Sequence, residues 1–353
     1  MKNLNRVDSK DIALTGTELL CFVIVRNESK RLPFFLNYYR EKGISKFFIV
    51  DNDSEDKTLD YLIQQEDVYT WHTQESFQDN KLNWLEGLLK NYGQNHWCLI
   101  VDADEILYYP DCETRSLSDF CRQIEWQGKN AVQGIMLDMY SQQPVQEAYY
   151  SPGDDFLEIC PYFDRQYYHH QEGTIRDYYW GGLRQRIFGS EDKRGKKPYC
   201  LTKFPLLKYN DTMIFYSEHV TKNIKVSSTT ACLLHFKYFS FFIDYVQSEI
   251  QRNQHWQGAV EYQKYAQLIA ENKPLNLYEP EISVRLKNSQ QLIDMGIINR
   301  GVLMDKRLGY VSLLLELFYD TKILGRAFLK VLSQKIRVPP QIPKSHLYLP
   351  RSK

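Results

Sequence analysis

The chain has 353 residues, with 44 Lys plus Arg balanced by 44 Asp plus Glu, so its formal net charge is zero. That balance argues against a nucleic-acid-binding domain, which carries a basic excess, and the 43% hydrophobic content with 25% charged residues excludes a disordered polymer. The length allows one large domain or two modest ones.

The seven cysteines are scattered, odd in number and free of any CxxC spacing, which points to a reducing compartment. The first residues carry no apolar run of signal-peptide length, and no stretch of about 18 apolar residues is present. The expected location is therefore cytoplasmic, with a peripheral place at the inner face of the membrane left open. The 26 Tyr, 18 Phe and 6 Trp suit both a core and a sugar-facing surface.

In chain order, Glu18–Val25 is a continuous apolar run, the pattern of a strand buried on both faces. Leu32, Phe35, Leu36 and Tyr39 recur at i, i+3, i+4 and i+7, predicting an amphipathic helix with Ser29 as its N-cap and Gly43 as its stop. Strands follow at 46–50, 68–72 and 96–101, separated by helices around Leu59–Ile63 and 82–93. The first hundred residues thus read β-α-β-α-β-α-β, which implies a mostly parallel sheet flanked by helices. Ligands bind such sheets at the carboxyl ends of the strands. A further strand is expected at 131–140, then a long polar-aromatic loop over 151–182. An apolar segment follows with His235 and Lys237 in its middle, and then one long helix from 245 to 272.

Two strand ends carry acids. The apolar run 97–101 ends in Asp102-Ala103-Asp104-Glu105, and alternate carboxylates at a strand end can share a hard cation. Mg2+ or Mn2+ held this way keeps positions open for phosphate and neutralises charge on a departing diphosphate. Its bland alternative is a solvated acidic turn. Asp51-Asn52 ends the second strand, with Ser54 and Asp56 suited to turns and caps. In Gly181-Gly182-Leu183-Arg184-Gln185-Arg186, glycine permits close backbone approach to a ligand. Read as a strand, the segment puts both arginines on one face for a diphosphate or acceptor. Lys203 is a weaker candidate of the same kind.

These segments together resemble a family-2-type glycosyltransferase of GT-A fold. The family opens with a strand and an Asn-Glu pair, matched by Asn27-Glu28. It continues with a VVDDGSTDGT segment, matched by Ile49 to Thr58 with Asn52 and Asp53 departing from it, and it has a strand ending in DxD. More narrowly, the chain resembles a bacterial subgroup with DADE, GGxRxRxFG and LLHFK motifs. The resemblance implies a GT-A-like catalytic domain over 1–240, with a nucleotide-sugar half at 15–110 and an acceptor half at 111–240. A mainly helical extension would occupy 241–353. It implies Asp102, Asp104 and a later histidine, His235, as metal ligands, with His219 as rival. The implied donor-binding set is Asn27, Glu28, Asp51, Asn52, Lys81, Asp102, Arg184 and Arg186.

An inverting transfer needs a carboxylate base near the acceptor hydroxyl. Asp154, Asp155, Glu191 and Asp192 stand out from a longer series that includes Asp138, Asp164 and Glu218. Glu249, Arg252 and Trp256 fall close to one face of the long helix. The basic amphipathic tail from Asp305 to Val338 offers peripheral membrane contact, against the alternative of packing on the catalytic domain. The resulting expectation is a metal-dependent glycosyltransferase of the α/β class. It would move a sugar from a nucleotide sugar, UDP-linked, to a glycan or lipid-linked acceptor in cell-surface polysaccharide synthesis, with no nucleic-acid partner. The rivals are a nucleotidyltransferase or nucleotide-sugar hydrolase, and a non-catalytic glycan-binding protein.

Overall fold

The computed structural model describes residues 3–172, 177–189, 199–217, 219–254, 256–271 and 274–301. Its centre is a nine-stranded sheet. In chain order the strands are β1 (Asn5–Arg6), β2 (Leu19–Val25), β3 (Ile44–Asp51), β4 (Val68–His72), β5 (Trp97–Ile100), β6 (Glu105–Tyr108), β7 (Ala131–Asp138), β8 (Thr202–Lys208) and β9 (Val226–His235). They lie side by side as β1-β4-β3-β2-β5-β8-β7-β9-β6. β2, β3, β4, β5, β7 and β9 run one way, while β1, β8 and β6 run against them. The architecture is α/β, with a mostly parallel sheet flanked by helices, as the alternation of elements implies.

Two apolar clusters pin the sheet. Leu19, Cys21, Val23 and Val25 of β2 enter one, with Leu32, Phe35, Leu36 and Tyr39 of helix α1 (Leu32–Glu41). Leu20 and Phe22 enter the other, with Trp84, Leu85 and Leu88 of helix α3 (Phe77–Leu88), which follows the short helix α2 (Thr58–Ile63). Successive side chains of a strand point to opposite faces, so covering both faces demands the unbroken apolar run seen in the sequence. Phe48 shows how tight the second cluster is. Its ring lies 5.0 Å from Phe22, 4.9 Å from Tyr92 and 6.1 Å from Trp71.

Local chemistry corrects several expectations. Ser29 does not cap α1; the helix begins later, with Arg31 as an N-cap that makes no side-chain cap bond, and the Ser29 amide donates to the Asp56 carboxylate at 3.2 Å. Residues 182–189 are not a strand. Leu183–Phe188 is a short helix, α5, after α4 (Leu117–Trp126). Gly181 sits at φ 103°, and a Cβ there would come within 2.1 Å of the Tyr167 carbonyl oxygen. This glycine therefore serves a close approach of the chain to itself.

The polar-aromatic segment is not a bare loop. Tyr162–Asp164 pairs with Ser283–Arg285, and Tyr168–Gln171 forms a hairpin with Tyr178–Gly181. The expected long helix is two, α6 (Phe242–Arg252) and α7 (Trp256–Glu271), broken at Asn253, which adopts the left-handed conformation. In β8 the register shifts between Lys203 and Leu206, where Pro205 offers no ladder donor.

Replacing Phe48 by Ala removes a wholly buried ring from the second cluster. It is expected to cost about 3–5 kcal/mol, read as a lower urea midpoint at unchanged denaturant slope.

Candidate functional site

Sheet register assembles the site. In the β9–β6 ladder His235 stands opposite Glu105, and in the β9–β7 ladder it stands opposite Asp138. The turn Asp102-Ala103-Asp104 carries the chain from β5 to β6, and the Phe236 amide donates to the Asp104 carbonyl at 2.7 Å. Two carboxyl-bearing segments far apart in sequence, 102–105 and the end of β7, thus meet at one histidine. α1 secures the outer strand β6: the Tyr39 hydroxyl donates to the Glu105 carbonyl at 3.0 Å and accepts from the Leu107 amide at 2.9 Å.

The histidine is held on both sides. Nδ1 donates to Asp138 Oδ1 at 2.6 Å, and Nε2 lies 3.3 Å from Asp104 Oδ2. The other oxygen of Asp138 accepts from Arg184 Nε at 3.2 Å. Arg184 Nη1 lies 3.5 Å from Glu261 on α7, whose other oxygen faces Lys237 Nζ at 3.3 Å. Across the cluster, Arg31 pairs with Glu28 at 2.9 Å and lies 4.7 Å from the Phe241 ring centroid.

Burial works against every charge here, and the pairings decide the outcome. It disfavours the charged imidazole of His235, yet Asp104 and Asp138 raise that group to about 9. It would raise the Asp104 and Asp138 carboxyls, but His235, Arg31 and Lys237 outweigh it at Asp104, and Arg184 and His235 at Asp138. Both are held well below the usual carboxylate range. At Glu28 burial prevails: the carboxyl rises to about 7, with Asp104 adding to the rise and Arg31 opposing it.

Asp102 has a different setting. Lys203 Nζ reaches its Oδ2 at 3.1 Å and Glu105 Oε1 at 2.5 Å, while Lys81 Nζ reaches its Oδ1 at 3.3 Å. Lys203, expected to face phosphate, instead neutralises the acids of the strand end. A cavity opens beside Asp102, walled by Phe22, Leu85 and Phe204 together with the two lysines.

Among the described residues no group of three or more His, Cys, Asp and Glu side chains is placed to hold a metal ion. The expected trio of Asp102, Asp104 and His235 is therefore not assembled as a set, because two lysines engage Asp102. Asp104 and His235 do fit a cation as a pair. One oxygen and one imidazole nitrogen lie side by side, and the far ring nitrogen is anchored on a carboxylate, as metal-binding histidines commonly are. His219, the rival, bonds through Nδ1 to the Thr202 carbonyl at 2.7 Å.

The strand-end residues chosen for donor binding largely hold one another. Asn27 Oδ1 accepts from the Glu55 amide at 2.7 Å, and the Asn27 and Glu28 amides donate to Ser54 and Thr58 at 2.9 and 2.8 Å. Asn52 spends its amide nitrogen on the Thr73 and Glu75 carbonyls and its oxygen on Arg252 of α6. Asp51 is wholly buried; Oδ2 lies 2.9 Å from His72 Nδ1, and Oδ1 has no hydrogen-bond partner among the described residues.

Arg184 and Arg186 diverge on their helix. Arg186 grips Asp164 at 2.8 and 3.0 Å, also meets Glu279, and donates to the Leu277 carbonyl at 2.6 Å, a structural clamp away from the histidine. Of the base candidates, Asp154 closes a turn on the Ser151 amide at 2.9 Å and Asp155 caps the Phe156–Ile159 turn through Leu157. Asp138 is committed to His235 and Arg184, and Asp164 to Arg186, so neither is available as a base. Glu191, Asp192, Glu218 and the tail from residue 302 lie outside the described residues. Sequence reasoning missed Arg31 and Glu261 and the bridging part of Asp138. Lys237, a charge inside an apolar run, did signal itself. Among the described residues no helix is long and apolar enough to cross a membrane.

No family model matches the chain, and no curated protein matches it. Among solved structures it is similar to the crystal structure of 4-diphosphocytidyl-2C-methyl-D-erythritol synthase. That likeness has a TM-score of 0.24 and 13% sequence identity, over 39% of this chain and 68% of the other. A likeness at that level carries nothing about function. The class defined by the fold is α/β, with a charged cluster where β5, β7 and β9 end.

The cluster makes stability depend on pH. His235 is raised from 6.5 to about 9, so in metal-free protein its contribution is complete below about 6.5 and is lost as pH rises through about 9. Asp104 and Asp138 are lowered from 3.8, so theirs is present above that value and lost as pH falls below it. The melting temperature of metal-free protein is expected to decline from pH 6.5 to 9.5, and the decline should shrink in His235→Gln; an equal decline in both would refute the assignment.

Proposed function

We propose that the chain is a divalent-cation-dependent glycosyltransferase that uses a UDP-linked sugar and transfers it to a glycan or lipid-linked acceptor in cell-surface polysaccharide synthesis. The observation that carries this reading is the Asp104–His235 pair, 3.3 Å apart at the carboxyl end of the sheet, with the imidazole locked on Asp138. It joins the motif order of the sequence to a place where α/β sheets bind ligands.

In this reading Asp104 and His235 hold Mg2+ or Mn2+, and Asp102 stays with its lysines. A cation there would supply neutralising charge for a diphosphate leaving group. Two protein ligands suffice for such an ion when substrate phosphates and water complete its shell. Arg184 brings a guanidinium suited to phosphate oxygens. The cavity beside Asp102 sets apolar side chains next to the ammonium groups of Lys81 and Lys203. Buried Asp51 at the end of β3 retains an unmatched carboxylate oxygen for a base N–H. Transfer is a single in-line displacement with inversion, an acceptor-side carboxylate taking the proton from the attacking hydroxyl.

Thermal stability with nucleotides, with and without Mn2+, tests the reading. A ligand of the folded state at one hundred times its Kd adds about 2.7 kcal/mol. UDP with Mn2+ is expected to raise the melting temperature by several degrees, and Asp104→Ala to remove that rise. Sugar released to water without an acceptor would make the protein a hydrolase, and a new diphosphate bond a nucleotidyltransferase. Glycan binding with no nucleotide response at all would overturn the proposal.

A further inference from the structure

Asp138 touches two different kinds of side chain, an imidazole and a guanidinium. It is 3% exposed, at the last position of β7. Oδ1 accepts a hydrogen bond from His235 Nδ1 at 2.6 Å and Oδ2 accepts one from Arg184 Nε at 3.2 Å. The first contact leaves only Nε2 to face Asp104. The second fixes the guanidinium plane, while Arg184, itself 8% exposed, keeps a buried Nη2 with no hydrogen-bond partner among the described residues. A buried donor left unmatched costs free energy, and a guanidinium edge in that state suits an oxyanion.

We propose that Asp138 is a positioning residue that presets a cation-binding pair, Asp104 and His235, and an oxyanion-binding arginine, Arg184, as one unit. This deepens the functional reading above and rests on it. The ligand class is a divalent cation together with a diphosphate. Geometry makes the coupling unavoidable: β7 delivers a single side chain between β9 and α5, so tilting its carboxylate moves the imidazole and the guanidinium together. Asparagine has one acceptor oxygen and an NH2 group that faces a donor, so it can satisfy one partner and not both.

The test uses the full chain with Mn2+ alone, counted as free ion by electron paramagnetic resonance, and then with inorganic pyrophosphate in saturating Mn2+. Asp138→Asn is expected to weaken Mn2+ binding about ten- to hundredfold, the usual effect of losing the partner of a metal-binding histidine, and to weaken pyrophosphate as well. Arg184→Gln should weaken pyrophosphate far more than Mn2+. Nitrogen NMR of labelled histidine supplies the readout that a merely structural role would not move: the His235 Nδ1 proton signal, slow to exchange in the parent protein, should be lost in Asp138→Asn.

Should Asp138→Asn fail to fold, Asp138→Glu keeps the charge and shifts the carboxylate by one methylene, and the same losses are expected of it. Parent protein that binds Mn2+, with Asp138 variants that bind it equally, would overturn the positioning role and leave the functional reading standing. Parent protein that binds neither Mn2+ nor nucleotide would overturn both. Pyrophosphate bound equally by Arg184→Gln would remove the oxyanion half.

Discussion

A carboxylate withdrawn from water at the end of a strand must find a positive partner, and for Asp104 and Asp138 those partners come from other segments. Asp104 and Asp138 sit in a setting where an unpaired charge would be heavily penalised. What keeps them ionised is His235 between them, with Arg184 and Lys237 behind and Arg31 alongside. The remaining charges follow the same demand. Glu105 is 1% exposed and takes Lys203, which also takes Asp102; Arg184 and Lys237 share Glu261. The cluster is thus an exchange of charge among the ends of β5, β6, β7, β8 and β9 and the helices α3, α5 and α7. Removing one member leaves another buried without its counter-charge.

That exchange gives the C-terminal helices a place in the site. α7 supplies Glu261, and Arg252 at the end of α6 reaches across to Asn52 at the end of β3. The break at Asn253 lets α6 and α7 turn independently toward these two points. A single straight helix would present one face to one neighbour. The Gln254 side chain adds a bond to the Phe77 amide at the start of α3, tying the break to the sheet's carboxyl edge.

Much of the framework was legible because its causes are local. The alternation through the first hundred residues follows from apolar periodicity, and the four α1 residues picked from their spacing are the four that are buried. Glycine misled where the chain, rather than a ligand, used it: Gly181 accommodates the Tyr167 carbonyl. The arginine pair misled for a related reason. Two residues apart they share a face in a strand, but on helix α5 they lie roughly 200° apart around the axis. Arg184 therefore faces Asp138 while Arg186 faces Asp164.

By itself the sequence determined that an α/β sheet would form and that Asp51 and Asp102 would stand where strands leave it. Apolar period and strand-end acids are properties of neighbours along the chain. Only the tertiary structure decided which acids would share a histidine. The ladders β9–β6 and β9–β7 set His235 against Glu105 and Asp138, pairings across 130 and 97 residues. The same folding gave Asp102 to two lysines and left Asp104 with the imidazole. Register is a property of two strands at once, and the partner that neutralises a buried charge is chosen by distance in space. Neither quantity is written in any one segment.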